Sequence, residues 1–255
     1  MLSSVEERQR EMTIRISKTD PQTYTIYQKE KDLGTLKTYH NIYHDTCTYL
    51  NIKLETYAID LPFSVIRQRE EKSLAVLTES ENKDLIQLLI RNGFKCKRRC
   101  FTPIFTKKDL KYPVNTVSVI YPFTQANSRY LECCDLLYQY YKDTHANVAP
   151  LTVNRSTFIK DAPTKTGFYS LNRNNRIENL VFTENNEIAY VCSLNRQSYQ
   201  PFIQTVLNEI FSNFDEIFLK QMIQIGLLLF CLISSSSIKT RVSILTFTAR
   251  FNFSE

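Results

Sequence analysis

The chain has 255 residues, of which 43% are hydrophobic and 23% charged, with a formal net charge of +6 at pH 7. This composition is typical of a soluble globular protein with one large or two small domains, and the modest charge indicates no particular partner. Only four glycines occur, at positions 34, 93, 167 and 226. Because no two are close together, neither G-x-G-x-x-G nor G-x-x-x-x-G-K-[ST] can be formed, which excludes a Rossmann dinucleotide site and a P-loop NTPase.

Cysteine usage indicates a reducing compartment. Seven cysteines are present, an odd number, and the charged N-terminal sequence MLSSVEERQREM lacks the apolar core of a secretory signal. We therefore expect reduced thiols in a cytoplasmic protein that has no contact with a membrane.

A first half, residues 1–100, begins with predicted strands. Alternating segments at 24–29 and 36–43 flank a predicted hairpin turn at 31–34, and a third alternating strand covers 48–57. Asp60 is the predicted N-cap of the helix that follows, with Pro62 in its first turn.

The first half continues with a buried strand at 73–78 and a second helix. Thr78 and Glu81 have the spacing of a capping box for this helix. Gly93 is predicted to end it in the left-handed conformation, before a basic strand at 94–101. The apolar face of the helix is predicted to comprise Leu85, Ile86, Leu88 and Leu89.

Prolines at 103, 113 and 122 mark residues 101–127 as a linker, or as a strand that crosses between halves. The second half, 128–220, opens with a helix at 128–145 and a short helix near 154–160. Two strands, at 177–182 and 187–193, flank a hairpin turn at 184–186, and a helix containing Ile203 and Val206 precedes a strand at 214–220.

The tail, residues 221–255, differs in composition from the rest of the chain. Its only acid is Glu255, it carries six serines, and it includes the apolar run Leu227 to Ile233. Seven apolar residues are too few to span a membrane, which needs about 20. The tail also lacks a sustained helix or strand period, so we expect it to pack poorly.

A shifted reading frame is one explanation of this tail, and a genuine hydrophobic interaction segment is another. One back-translation of residues 220–227, moved by one nucleotide, encodes A-D-D-T-D-W-A. That alternative supplies an acidic turn and a tryptophan, both natural after a buried strand. A sheet left unfinished by the tail would expose its edge and face, which favours self-association.

The order β-β-β-α-β-α-β in the first half and α-α-β-β-α-β in the second resembles the GNAT acyltransferase superfamily. The segment LTESENKDLIQLLIRNGFKCKRRC, residues 77–100, is similar to the last third of many GNAT domains. The resemblance covers residues 14–220 and lies in pattern rather than in a signature motif. It implies an α/β (α+β) protein of two GNAT-like halves in tandem, with mixed, mostly antiparallel sheets flanked by helices.

The resemblance also implies a cofactor, acetyl-coenzyme A, held where two strands splay apart. The loop before the following helix would present backbone N–H groups to the pyrophosphate. The corresponding loops, 58–64 and 194–200, contain no glycine, and Asp60 occupies the first where a phosphate would lie. We therefore expect a structural role for the first half and cofactor binding by the second, through Val191, Ser193, Arg196, Gln197 and Ser198.

Acyl transfer to an amine needs a general base and a proton donor for the leaving thiolate. The candidates are Glu187 as base and Tyr190 or Tyr199 as donor. A solvated hairpin residue is the alternative interpretation of Glu187. The acceptor would be an amine on a small molecule or a peptide, and the rival function is a catalytically inactive GNAT-fold binding or interaction protein.

Two further clusters indicate no chemistry. His40, His44 and Cys47 have a spacing compatible with zinc, but their context favours strand and turn and a fourth ligand is not apparent, so we predict no metal site. The basic run KCKRRC, at residues 95–100, is explained by a solvated strand. Since no RNA-binding motif accompanies it, we expect no nucleic-acid partner.

Overall fold

The computed structural model describes residues 14–110, 118–161, 163–219, 221–222 and 239–249. They form two compact units. Of the described residues, the first unit contains 14–98, 148–152 and 244–249, and the second contains 99–110, 118–147, 153–161, 163–219, 221–222 and 239–243.

The first unit opens with four antiparallel strands, one more than the sequence predicted. They are β1 (Ile14–Asp20), β2 (Thr23–Gln28), β3 (Lys31–Tyr39) and β4 (Cys47–Leu54). Strand β1 was not predicted, because its residues alternate weakly and five of its seven side chains are not apolar. It pairs with β2 from Ile14 to Asp20.

The turn between β2 and β3 differs from the predicted one. Lys29 and Glu30 both have positive φ, 49° and 63°, and form the two-residue turn. The predicted turn at 31–34 was wrong, because those residues belong to β3. Gly34 instead lies at a register shift opposite β2 with φ 131°, where a Cβ would lie 2.2 Å from the Lys53 carbonyl oxygen.

Two helices and a buried strand follow, in the predicted order. They are α1 (Phe63–Glu70), β5 (Ser73–Glu79) and α2 (Lys83–Arg91). The predicted cap at Asp60 was wrong, because α1 begins one residue after Pro62 and has no side-chain cap. The capping box from Thr78 and Glu81 was also wrong. Asn82 caps α2 and accepts a hydrogen bond from the Leu85 N–H.

Gly93 ends α2 as predicted. Its φ is 79°, its N–H donates to the Ile90 oxygen, and the Phe94 N–H donates to the Leu89 oxygen. These two bonds are those of a Schellman motif, which satisfies carbonyls that the helix end leaves open. The predicted apolar face of α2 is confirmed, with Leu85, Leu88 and Leu89 buried and Ile86 packed against the same core.

A strand from the tail completes the first unit. Strand β6 (Lys95–Thr106) follows α2, and β13 (Lys239–Ala249) pairs antiparallel with β5 from Ile244 to Ala249. Phe247 is buried in the same core as Leu74 and Val76. The expectation of a poorly packed tail was therefore wrong for residues 244–249. Residues 223–238 and 250–255 lie outside the described residues, and so does the predicted apolar run.

The first unit also contains the segment 148–152, which lies between the helices of the second half in sequence. The Thr152 N–H donates to the Tyr43 oxygen, and the Asp45 N–H donates to Thr152 Oγ1 at 3.1 Å. His44 Nδ1 donates to the Pro150 oxygen at 3.2 Å. These bonds fasten the segment to the loop between β3 and β4.

The second unit follows the predicted order of two helices, a hairpin, a helix and a strand. Strand β7 (Tyr121–Thr124) lies in the segment predicted as a linker or crossing strand, and β8 (Thr166–Leu171) was not predicted. Gly167 in β8 leaves no room for a side chain, because a Cβ would lie 2.0 Å from the Val181 oxygen. Asn185 has φ 53° in the predicted hairpin turn. The elements are β7 (Tyr121–Thr124), α3 (Tyr130–His145), α4 (Arg155–Asp161), β8 (Thr166–Leu171), β9 (Ile177–Glu184), β10 (Glu187–Ser193), α5 (Arg196–Phe211), β11 (Glu216–Leu219) and β12 (Gln221–Met222).

The sheets are mixed and mostly antiparallel, as the sequence predicted. Among the described strands the parallel pairs are β4 with β5 and β10 with β11. Each pair is joined by a helix, which is the connection that parallel neighbours require. Within the second unit the strand order is β6-β11-β10-β9-β8-β7, with β12 beside β6. Five α-helices accompany the sheets in the part of the chain that the structure describes.

Candidate functional site

The second unit contains a fork between two parallel strands. Among the described residues, strand β10 pairs with β11 at Glu187 opposite Phe218 and at Ile188 opposite Leu219. On its other side β10 pairs with β9 as far as Ser193. The next described strand, β12, pairs with β6 and not with β10. Within the described residues, the edge of β10 from Ala189 to Ser193 therefore has no strand beside it on the β11 side.

A β-bulge lies where the fork opens. The register of β10 against β9 shifts between Ile188 and Tyr190, which leaves Ala189 as the extra residue. A bulge takes backbone groups out of the ladder and turns the strand, and bulges are common beside functional sites. Val191 and Ile188 face the core beneath α5, whereas the Tyr190 ring lies 6.3 Å from that of Tyr141 in α3.

The helix α5 begins at the open end of the fork, and its first turn is capped from within the chain. Asn195 Oδ1 accepts the Gln197 N–H at 2.9 Å. Asn195 Nδ2 in turn donates to Glu178 Oε1 at 3.1 Å, which places a carboxylate beside the positive end of the helix dipole. This carboxylate opposes the binding of a second anion at the same helix end.

A buried polar network lies below this helix end, and Asn179 is its centre. The side chain of Asn179 is inaccessible to solvent. Its Nδ2 donates to Ser170 Oγ and to Ser198 Oγ, both at 3.0 Å, and its Oδ1 accepts from Ser193 Oγ at 2.6 Å. Such fully satisfied networks fix the geometry of the elements that they join, here β8, β9, β10 and α5.

The five predicted cofactor residues divide into two groups. Arg196 and Gln197 are exposed in the first turn of α5, where their side chains face solvent. Val191 is buried in the core, and the hydroxyls of Ser193 and Ser198 bind Asn179, as described above. Ser198 Oγ also donates to the Asn195 oxygen at 3.2 Å. The structure thus brings all five residues to the open end of the fork. Of the five, Arg196 and Gln197 have the side chains with accessible polar groups.

The three candidate catalytic residues differ in exposure. Glu187 is half-buried at the closed end of the fork, directly opposite Glu184 of β9. Tyr190 is half-buried at the bulge. Tyr199 is 1% exposed, and its hydroxyl has no hydrogen-bond partner among the described residues. Burial raises the pKa of Tyr199 strongly, with smaller contributions from Tyr140 and Cys192.

Buried thiols lie on the α3 side of the same sheet. Burial raises the pKa of Cys133 to about 12, with a smaller contribution from Cys134, and it also raises the pKa of Cys192. Burial also raises the pKa of Tyr140 to about 12. A thiol with such a pKa is protonated at neutral pH, and only the thiolate is a nucleophile. These cysteines therefore pack the core and provide no reactive group.

The loop 58–64 of the first half, which corresponds to the loop before α5, is held by an ion pair. Asp60 Oδ1 lies 3.7 Å from Arg91 Nε, and the Leu61 N–H donates to Asn92 Oδ1 at 3.2 Å.

Among the described residues, no group of three or more histidines, cysteines or acids could hold a metal ion. Of the former zinc candidates, His40 lies 3.3 Å from Asp45 and His44 is buried against the 148–152 segment.

No helix in the described part of the chain combines the length and apolar character needed to cross a membrane.

Comparison with solved structures identifies the fold. A GCN5-related glucosamine N-acetyltransferase region of a fungal multi-domain GH3 β-N-acetylglucosaminidase matches 89% of this chain and 33% of its own chain, with a TM-score of 0.55 and 8% sequence identity. A GCN5-related N-acetyltransferase from Sphaerobacter thermophilus matches 97% of this chain and 85% of its own, at 9% identity and a TM-score of 0.49. One from Kribbella flavida matches 98% and 94%, at 11% identity and a TM-score of 0.48.

The chain therefore has the fold of the GCN5-related N-acetyltransferases, as the order of elements in its sequence indicated. At this low identity the likeness concerns the fold and not the chemistry. No protein-family model and no curated protein sequence matches the chain.

Sequence reasoning missed the residues that organise the helix end. Asn195, directly before α5, has the residue type of an N-cap, so this signal was available. Asn179 was detectable as one polar residue among the apolar side chains of IENLVF, but its partners come from three other elements. Glu178 carried no signal, because its role depends on the approach of Asn195 across the sheet.

Proposed function

We propose that the protein transfers an acetyl group from acetyl-coenzyme A to an amine, with the cofactor bound by the second unit in the fork between β10 and β11. The observation that carries this proposal is the strand edge of β10 beyond Ile188, which has no strand partner on the β11 side among the described residues. The N-acetyltransferase fold supports the assignment of the reaction class.

The chemistry of the cofactor suits this edge. The pantetheine arm of acetyl-coenzyme A is extended and contains two amides, so it can pair with a free strand edge in the manner of an added strand. The pyrophosphate would then lie at the first turn of α5, near the exposed Arg196 and Gln197. Val191 contributes an apolar surface, and Ser193 and Ser198 hold the strand and the helix in register through Asn179.

The reaction forms one C–N bond and breaks one C–S bond. The amine nitrogen attacks the thioester carbonyl carbon, the oxygen gains negative charge in the tetrahedral intermediate, and the thiolate leaves. The bulge at Ala189 releases backbone groups from the ladder, and an N–H there is suited to stabilise the developing oxyanion. In this proposal Glu187 accepts a proton from the amine and Tyr190 donates one to the thiolate. The enclosed hydroxyl of Tyr199 is the less suitable donor.

A second candidate is a GNAT-fold binding protein without chemistry. A specific observation favours it, namely the occupied end of α5, where Asn195 takes up the Gln197 N–H and Glu178 adds a negative charge. Both features compete with a pyrophosphate for the same helix end. The two candidates therefore differ in one measurable property, the affinity for acetyl-coenzyme A.

Calorimetric titration of the full chain with acetyl-coenzyme A separates the two functions. Acetyl transfer predicts saturable heat and a rise in the melting temperature, both weakened in Arg196→Glu because a cation at the helix end becomes an anion. Lys83→Glu makes the same charge change in the first turn of α2 and is the matched control, with binding retained. The absence of heat and of a thermal shift at millimolar cofactor would contradict acetyl transfer and leave the binding protein.

A further inference from the structure

Thr152 fastens the end of the segment 148–152 within the first unit. The Thr152 N–H donates to the Tyr43 oxygen at 2.9 Å, and Thr152 Oγ1 donates to the Ile42 oxygen at 3.2 Å. The Asp45 N–H donates to the same hydroxyl at 3.1 Å. All three bonds join the segment to the loop between β3 and β4. None of the bonded groups ionises near neutral pH, so these bonds hold the segment independently of pH.

His44 fastens the middle of the same segment. The residue is 7% exposed, and its Nδ1 donates to the Pro150 oxygen at 3.2 Å. The imidazole also forms a hydrogen bond with the backbone of Ala149, which is itself buried. Since both partners belong to the segment, the imidazole loses these bonds when the segment leaves the loop. His44 therefore couples docking of the segment to a group that titrates near neutral pH.

The surroundings of His44 disfavour the protonated imidazole. Burial lowers the pKa of His44 below its ordinary value of 6.5, and the guanidinium of Arg98 in β6 lowers the pKa further. The hydrogen bonds to Pro150 and Ala149 act in the opposite direction without reversing the shift. Tyr49 of β4, which also feels the charge of Arg98, adds no negative charge, because burial raises its pKa to about 12. The docked segment thus favours the neutral imidazole.

The acid next to His44 in sequence has partners of its own. Asp45 Oδ1 lies 2.7 Å from Lys72 Nζ and 3.3 Å from His40 Nδ1. The segment 148–152, with the sequence VAPLT, contains no ionisable side chain. Neither the loop nor the segment therefore supplies a carboxylate that is committed to a positive charge on His44.

We propose that the segment 148–152 is a pH-sensitive clasp, docked on the loop between β3 and β4 while His44 is neutral and released when the imidazole takes up a proton. In the released state the imidazole is in water and titrates near its ordinary pKa of about 6.5. Docking is therefore strongest above that pH, and it weakens as the pH falls below 6.5 and through the lower docked-state pKa. The inference concerns residues of the first unit and is independent of acetyl transfer.

Release of the clasp has a consequence for two helices, because the segment connects α3 to α4 along the chain. Tyr141 of α3 and Phe158 of α4 have ring centres 5.2 Å apart. The docked segment restrains the connection between these helices, and its release removes that restraint.

Hydrogen–deuterium exchange of the full chain at about pH 7.5 and about pH 5.5, with each amide corrected for its intrinsic exchange rate, tests the clasp. The Thr152 amide is expected to lose protection several-fold at the lower pH, with an upper limit of about tenfold set by protonation of the released imidazole. The Thr38 amide, which donates to the Gln22 oxygen at 2.7 Å, is the internal control and is expected to keep its protection. Equal protection of Thr152 at both pH values would overturn the proposal.

His44→Gln assigns the effect to the imidazole. Glutamine has a neutral donor and cannot take up a proton, so the Thr152 amide is expected to be equally protected at both pH values. His40→Gln, in the same loop, is the matched control and is expected to keep the pH dependence of the wild type. A pH dependence that survives in His44→Gln, or that disappears in His40→Gln, would contradict the assignment.

A titration of the wild type needs no variant and checks the same claim. The imidazole resonances of His44, followed by NMR as the pH is lowered, are expected to shift with a midpoint below the ordinary value of 6.5. A midpoint at or above that value would mean that docking favours the protonated imidazole, which is the opposite of the proposed clasp.

Discussion

Nδ2 of Asn195 lies 3.1 Å from Oε1 of Glu178, so the residue that caps α5 also holds a carboxylate at the helix end. The two residues come from β9 and the β10–α5 loop, and the contact forms where a pyrophosphate would bind in the proposed reaction. The pair therefore sets the electrostatic cost of cofactor binding.

Replacing Glu178 by Gln is expected to raise the affinity for acetyl-coenzyme A. The amide keeps an acceptor for Asn195 and removes the charge, which near a helix end is worth about 0.3–1 kcal/mol, or roughly two- to fivefold. Titration calorimetry at low salt measures the change, and Glu184→Gln, which removes a carboxylate from the far end of β9, is the control. A lower affinity in Glu178→Gln would show that the carboxylate supports binding instead.

Replacing Asn179 by Ala is expected to lower the free energy of unfolding by about 3 kcal/mol. The change removes the three hydrogen bonds of a fully buried side chain and leaves the buried Ser170 hydroxyl without its partner, and each lost bond costs about 1 kcal/mol. Urea denaturation measures the loss. Asn174→Ala, at an exposed side chain in the preceding turn, is the control and should change little. A loss equal to that of the control would mean that the network does not hold these elements together.

The pair Tyr24 and Glu70 predicts a dependence of stability on pH. Tyr24 is fully buried and its hydroxyl donates to Glu70 Oε1 at 2.5 Å, while Lys18 Nζ lies 3.1 Å from the same oxygen. Burial alone would raise the pKa of Glu70, but the hydrogen bonds from Tyr24 and Lys18 outweigh it and lower the pKa below its ordinary value of 4.5. The stabilisation is therefore present at neutral pH and is lost as the pH falls through the folded-state pKa.

Tyr24→Phe tests this pair. The variant is expected to lose about 1.5–3 kcal/mol at pH 7, the worth of a hydrogen bond to a charged group. The difference from the wild type should shrink as the pH falls below the ordinary pKa of 4.5 and through the lower folded-state pKa, since the carboxylate becomes protonated. Urea denaturation across this range measures it, with Tyr27→Phe as control. A difference that does not change with pH would contradict the role of the charge on Glu70.

A substitution at Phe247 tests whether the tail is native sequence. Its side chain is 2% exposed in the core of the first unit, so Phe247→Ala is expected to cost about 3–5 kcal/mol. Ile244→Ala, at a side chain that is 41% exposed, is the control and should cost well under half of that. If both variants are equally mild, residues 244–249 do not pack, and a shifted reading frame near residue 220 is favoured. Sequencing of the coding region then checks the frame.

The sequence predicted secondary-structure elements better than it predicted which residues pair with one another. Helical spacing in Leu85, Leu88 and Leu89 and the position of Gly93 fixed α2 and its end, because both signals are local. Strands β1 and β8 were missed, since strands with mixed polar and apolar residues owe their form to pairing. The pairing of residues 244–249 with β5 and the bonds of 148–152 to the β3–β4 loop join residues more than 100 positions apart, and no local pattern encodes them.

The sequence predicted where in the fold the candidate site lies, but not which hydrogen bonds its residues make. The loop at 194–200 does open α5 at the end of a splayed strand pair, as the family resemblance implied. The partners of Ser193 and Ser198 depend on how β9 presents Asn179 to both, which is a property of the folded sheet. Which of the predicted residues binds a cofactor stays a prediction.

Hydrogen–deuterium exchange with and without saturating acetyl-coenzyme A tests the central claim most directly, because it reports where the cofactor binds. The proposed function predicts slower exchange of the backbone amides from Ala189 to Gln200, where β10 gains a strand-like partner and α5 gains an anion. It predicts no change in the corresponding loop of the first unit, residues 58–64. Protection of residues 58–64 in place of 189–200, or no protection in either, would contradict acetyl-coenzyme A binding by the second unit.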